Sequence, residues 1–116
     1  EGGSYMVINH HSGQHAFPSG YPIASPDGKI FLSLSEDMFA GYNPNNIEIW
    51  KVSSIDFNRI AKFEPEWGPR SGRWLNLHSA RIYKRCHDNS KNNPIGLKAC
   101  GVAQIEFSDS KWKLFE

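Results

Sequence analysis

A chain of 116 residues is the size of one domain and can build one core, not two. Hydrophobic residues at 39% and charged residues at 22% are too apolar for a disordered chain, and 13% aromatic content places much of the core in rings. Thirteen basic against twelve acidic residues leave a formal charge of +1, without the basic excess of a dedicated nucleic-acid binder, and no apolar run is long enough for a membrane span.

In chain order, period-two alternation recurs and helical periodicity is nearly absent. Tyr5–Asn9 reads as an N-terminal strand, followed by His10, His11 and His15. Those histidines are the best metal candidate, but no acidic residue lies nearby in sequence to complete a site. A polar loop carrying histidines is the simpler reading, and no cofactor is expected. Ile30, Leu32 and Leu34 share one face of a strand over Lys29–Ser35. Ile47 and Ile49 alternate with Asn46 and Glu48, and Trp50 and Val52 extend that run; the alternation points Glu48 to solvent. Ile60 and Phe63 belong to a further strand, and Gly68-Pro69-Arg70-Ser71-Gly72 reads as a turn. Ala80 and Ile82 alternate with Arg81 and Tyr83, so Arg81, Lys84, Arg85 and Lys91 read as a solvated strand face and loop rather than a phosphate-binding patch. Ala103, Ile105 and Phe107, then Trp112 and Leu114, complete the series.

Turn signals separate these runs, including Pro26-Asp27-Gly28, Asn43-Pro44-Asn45-Asn46 and Ser108-Asp109-Ser110. The spacing predicts a single all-β domain over 1–116, an antiparallel meander of about eight strands. A weak internal repeat is visible: the hairpin that starts at Ile47 ends Phe63-Glu64, and the one that starts at Ala103 ends Phe115-Glu116.

Cys86 and Cys100 either form a disulfide or stand as two free thiols. Pairing would close the polar loop His87–Ala99; for about fifteen residues, chain entropy makes that worth about 3 kcal/mol. It would fit a periplasmic or secreted setting, as would a signal peptide removed before Glu1, although a trimmed chain accounts equally for that start. No CxxC pair is present to suggest a zinc ribbon or a thioredoxin-like site.

Pro22-Ile23-Ala24-Ser25-Pro26-Asp27-Gly28-Lys29-Ile30-Phe31, then Ile47-Glu48-Ile49-Trp50-Lys51-Val52, resembles one blade of a WD-repeat or TolB-type β-propeller. With Gly41-Tyr42-Asn43-Pro44-Asn45, Trp67-Gly68-Pro69 and Trp74, residues 20–84 are also similar to small bacterial exported proteins of no assigned biochemical function. A propeller needs at least four blades and this length supplies two at most. The resemblance therefore implies two blade-like sheets packed as a sandwich or incomplete propeller, or an assembly of several chains, of which a homodimer is the commonest symmetric form.

No Gly-x-Ser-x-Gly elbow or phosphate-cradling loop is present, and adjacent Cys86-His87 does not by itself make a dyad. The aromatics Phe39, Tyr42, Trp67 and Trp74 lie in or beside loops rich in Gly, Pro and Asn, with Arg70 and Arg73 close by. Either they cap the sheets as core, or they anchor an interface. The second reading predicts a non-enzymatic interaction module that contacts a protein partner, or a second copy, through residues 36–46 and 64–74. The alternative is a small hydrolase or carbohydrate-active protein that uses carboxylates such as Glu36, Asp37, Glu48, Glu64 or Glu66 with a histidine. A third reading is a purely structural assembly domain.

Overall fold

The alternating runs form strands in the computed structural model, which describes residues 5–8, 10, 12–38, 45–53, 56–88, 90, 92 and 96–116. Ten strands lie among the described residues: β1 (Val7–Ile8), β2 (His15–Ala16), β3 (Tyr21–Ala24), β4 (Ile30–Ser35), β5 (Asn46–Val52), β6 (Phe57–Phe63), β7 (Gly68–Asn76), β8 (Ser79–His87), β9 (Leu97–Ser108) and β10 (Lys111–Phe115). Strands β3–β4–β5–β6 pair in chain order as one antiparallel sheet, β7–β8–β9–β10 pair likewise as a second, and β1–β2 form a short ribbon. The molecule is the expected all-β antiparallel meander of eight principal strands in two packed sheets, and it closes neither a barrel nor a propeller. No helix among the described residues is long and apolar enough to cross a membrane.

Register explains which side chains make the core. Leu32 opposes Ile49 and Leu34 opposes Ile47 in the first sheet; Ala80 opposes Ile105 and Ile82 opposes Ala103 in the second. Leu32, Ile47, Ile49, Ala80, Ile82, Ala103 and Ile105 are buried together, with Trp67, between the two sheets. The two hairpins of the internal repeat, β5–β6 and β9–β10, occupy the third and fourth strand positions of their respective sheets.

The sheets approach each other most closely where β7 lies over β3 and β4. A Cβ at Gly72 would stand 3.2 Å from Leu32 Cδ2 and Leu34 Cδ1, so the missing side chain lets the layers come together there. Beside it, Trp74 packs against the core and its indole N–H donates to Ile23 O at 2.9 Å. Trp112 meets Trp74 edge-to-face with ring centroids 5.9 Å apart.

Residues 68–72 do not form the expected turn; they open strand β7. Pro and Gly are tolerated because β7 is an edge strand, pairing with β8 alone, and its register shifts between Pro69 and Ser71 and again between Trp74 and Asn76. The shifts leave Arg70 and Leu75 as extra residues. Strand β6 has the same device: Arg59 opposes Trp50 and Ala61 opposes Ile49, which leaves Ile60 without a cross-strand partner.

Cys86 and Cys100 are joined by a disulfide between the neighbouring strands β8 and β9. Opposite the single residue Lys84, strand β9 places two, Cys100 and Gly101, one more than the ladder needs, and Gly101 takes a φ of 110° that a side chain would strain.

Candidate functional site

The residues that the sequence marks for an interface separate into inward-facing and outward-facing sets. Trp67 and Trp74 turn inward. Trp67 is buried, its indole N–H donates to Glu116 Oε1 at 3.0 Å, and Lys84 Nζ sits 5.2 Å from its ring centroid. Both tryptophans therefore cap the inter-sheet core. Arg70 and Arg73 are exposed on β7, while Phe39 and Tyr42 lie outside the described residues. The segments around residues 36–46 and 64–74 are nonetheless neighbours. Asn45 Oδ1 accepts from the Asp37 amide at 2.8 Å, and Asn45 Nδ2 donates to Pro65 O and Glu66 O, each at 3.3 Å. Arg85 forms an ion pair with Glu36 across the same junction.

Glu48 does not face solvent; it is 1% exposed. The alternation places it correctly on the outer face of the first sheet, beside Ser33 on β4, but residues 18–20 cross over that face and cover it. Its carboxylate accepts from the Ser19 amide at 3.0 Å, Ser19 Oγ at 2.9 Å, Trp50 Nε1 at 3.0 Å and Arg59 Nη1 at 3.2 Å. Burial pushes this carboxyl up, but the combined hydrogen bonds from Ser19, Trp50 and Arg59 outweigh it and hold the group below its ordinary range. Gly20 completes the cover: its N–H donates to Ser33 Oγ at 2.8 Å, its carbonyl accepts from the same hydroxyl at 3.0 Å, and a Cβ on it would overlap Leu34 O. A carboxylate saturated with four donors fastens one segment to another and is poorly placed to exchange protons with a substrate.

Among the described residues, the remaining carboxylates and histidines do not assemble into a centre. Glu64 pairs with Lys62 at 3.2 Å. His15 lies on β2 and packs edge-on against Phe17, and His11 lies outside the described residues. Among the described residues no three His, Cys, Asp or Glu side chains converge to hold a metal ion.

The second sheet presents the opposite situation on its outer face. Because Ala80, Ile82, Ala103 and Ile105 point to the core, Arg81, Tyr83, Val102 and Gln104 point away from it. Register then builds two rows. Arg73, Arg81, Gln104 and Phe115 stand side by side across four strands, and Ser71, Tyr83 and Val102 form the next row. Val102 and Phe115 are each 50% exposed, and Tyr83 is 37% exposed. Arg73 directly opposes Arg81, and neither guanidinium has a carboxylate partner among the described residues. Glu106, diagonal to Arg81 in the register, accepts a hydrogen bond from Gln104 Nε2. Like charges opposed across a ladder destabilise a sheet, so the Arg73–Arg81 pairing works against folding rather than for it.

No family model, curated protein or solved structure matches the chain. The two outer faces differ where it matters for recognition: residues 18–20 cover Glu48 and Ser33 on one, while the other carries the opposed Arg73–Arg81 pair without such a cover. Sequence alternation placed Arg81 and Tyr83 on a solvated strand face, but it could not join Arg73 to them. That step needs the β7–β8 register, and the Pro- and Gly-rich composition of β7 hides the strand.

Proposed function

We propose that the chain is a non-enzymatic interaction module that docks a carboxylate-bearing protein partner on the outer face of the β7–β10 sheet. The observation that carries this reading is the opposed Arg73–Arg81 pair, flanked by exposed Tyr83, Val102 and Phe115. Arg and Tyr are the side chains that most often anchor interfaces, and a planar guanidinium fork matches a carboxylate bidentately. The site lies on a sheet face beside the segment 64–74 rather than on the loop aromatics, because Trp67 and Trp74 are committed to the core. The Cys86–Cys100 bridge suits an oxidising compartment.

Photo-crosslinking tests the proposal. A photoreactive phenylalanine at position 83 should capture one discrete protein, with capture lost in an Arg73→Glu/Arg81→Glu background. The same label at Asn58, exposed on the other sheet, should capture none. Equal capture from both positions, or capture indifferent to the two arginines, would overturn it. Capture of a second copy of the chain would identify the partner as self.

A further inference from the structure

The sheets that meet at β7 part at the opposite side, where β6 and the β9–β10 hairpin leave a cleft. It consists of two hollows of about 370 and 280 Å³ that share Ile60, Phe107 and Trp112 as an apolar floor. Ile60 is the extra residue of the β6 bulge and is 44% exposed, so the bulge aims an isoleucine into this opening rather than into the core. Lys62 and Lys111 line the first hollow, and Lys29 and Lys51 the second. Lys62 is paired with Glu64, Lys29 lies in the electrostatic field of Asp27, and Lys51 and Lys111 form no ion pair with a carboxylate among the described residues. Asp27 is the one acidic side chain in either lining, and it is engaged by its own turn: Ser25 Oγ and the Lys29 amide donate to its Oδ1 at 2.8 and 3.0 Å.

We infer that this cleft binds a slender amphipathic anion, an acyl chain lying over Ile60, Phe107 and Trp112 with its carboxylate at Lys29 and Lys51 of the second hollow. Charge complementarity selects the head group, and the apolar floor selects the tail. A peptide strand added to the sheet edge fits less well. The β6 edge is interrupted by its bulge, the β10 edge carries Lys111 and Lys113, and both are devices that discourage strand pairing.

Titration of the disulfide-intact chain with dodecanoate below its micelle concentration, followed by calorimetry and tryptophan fluorescence, tests the inference. Saturable binding of one dodecanoate per chain is expected, weakened at least tenfold by Lys29→Glu/Lys51→Glu and by Ile60→Glu, and unchanged by Arg81→Gln. Because Ile60 and the lysines lie outside the buried core, melting temperatures within a few degrees of the parent should accompany these losses; should Ile60→Glu fail to fold, the lysine pair decides. Dodecyltrimethylammonium should not compete. Absence of saturable binding, equal affinity for the cationic amphiphile, or indifference to both sets of variants would overturn the assignment. So would tight binding of an acidic Val-Glu repeat peptide without dodecanoate binding.

Discussion

At Glu48 the competition between desolvation and hydrogen bonding decides what one side chain does. An isolated buried carboxylate would protonate, but four donors keep this one ionised and tie residues 18–20 to the outer face of the first sheet. Its folded-state pKa lies below its unfolded value. The stability it contributes is therefore complete above the ordinary carboxylate range and is lost as pH falls through the lowered folded value. Glu48→Gln should cost about 1–3 kcal/mol at neutral pH, because an amide cannot accept all four hydrogen bonds. The parent and variant stability curves, measured by urea unfolding across pH, should converge as the medium becomes acidic; parallel curves would show that Glu48 is not the acid-sensitive fastener. Alternation assigned Glu48 to the correct face of β5, yet it carried no information about a segment twenty-nine residues away folding over that face. For the same reason the sequence left Trp67 and Trp74 open between capping the core and anchoring an interface, and the fold turns both inward.

At the scale of the strand, the register shifts do most to shape the surface. Three edge-strand bulges leave Ile60, Arg70 and Leu75 exposed, and a fourth in β9 accommodates Cys100 beside Gly101. The runs Ile47–Ile49 of β5, Ala80–Ile82 of β8 and Ala103–Phe107 of β9 were readable because apolar residues recur there at every second position. Strand β7 was not, since each bulge breaks the alternation and its Pro69 and Gly72 imitate a turn. The disulfide bonds two strands that already pair on both sides of it, with Cys86 opposite Lys98 and Arg85 opposite Ala99, and Cys86 packs against the core. Reduction should lower unfolding free energy by about 2–4 kcal/mol, read from urea melts with and without reductant. A loss below about 0.5 kcal/mol would mean that the β8–β9 ladder constrains the loop in the unfolded ensemble without the bond.

For the whole molecule, the two sheets form a wedge, tight where Gly72 admits β4 and β7 to each other and open at the β6 and β10 edges. The outer face of the first sheet is covered by residues 18–20 at Glu48 and Ser33, whose polar groups are satisfied, whereas the outer face of the second exposes Arg73, Tyr83 and Phe115 around the half-buried Arg81. The two-sheet meander was readable from strand spacing and turn chemistry; this asymmetry was not, because it depends on where the N-terminal segment lies and on which strands share a row. The central claim is that the arginine row serves recognition and contributes nothing to folding. Urea unfolding of the Arg73→Gln/Arg81→Gln variant tests it most directly. Relief of the opposed like charges predicts a stability equal to the parent's or up to about 1 kcal/mol higher; a loss of more than about 1 kcal/mol would show that the arginines hold the sheet together and would contradict the account.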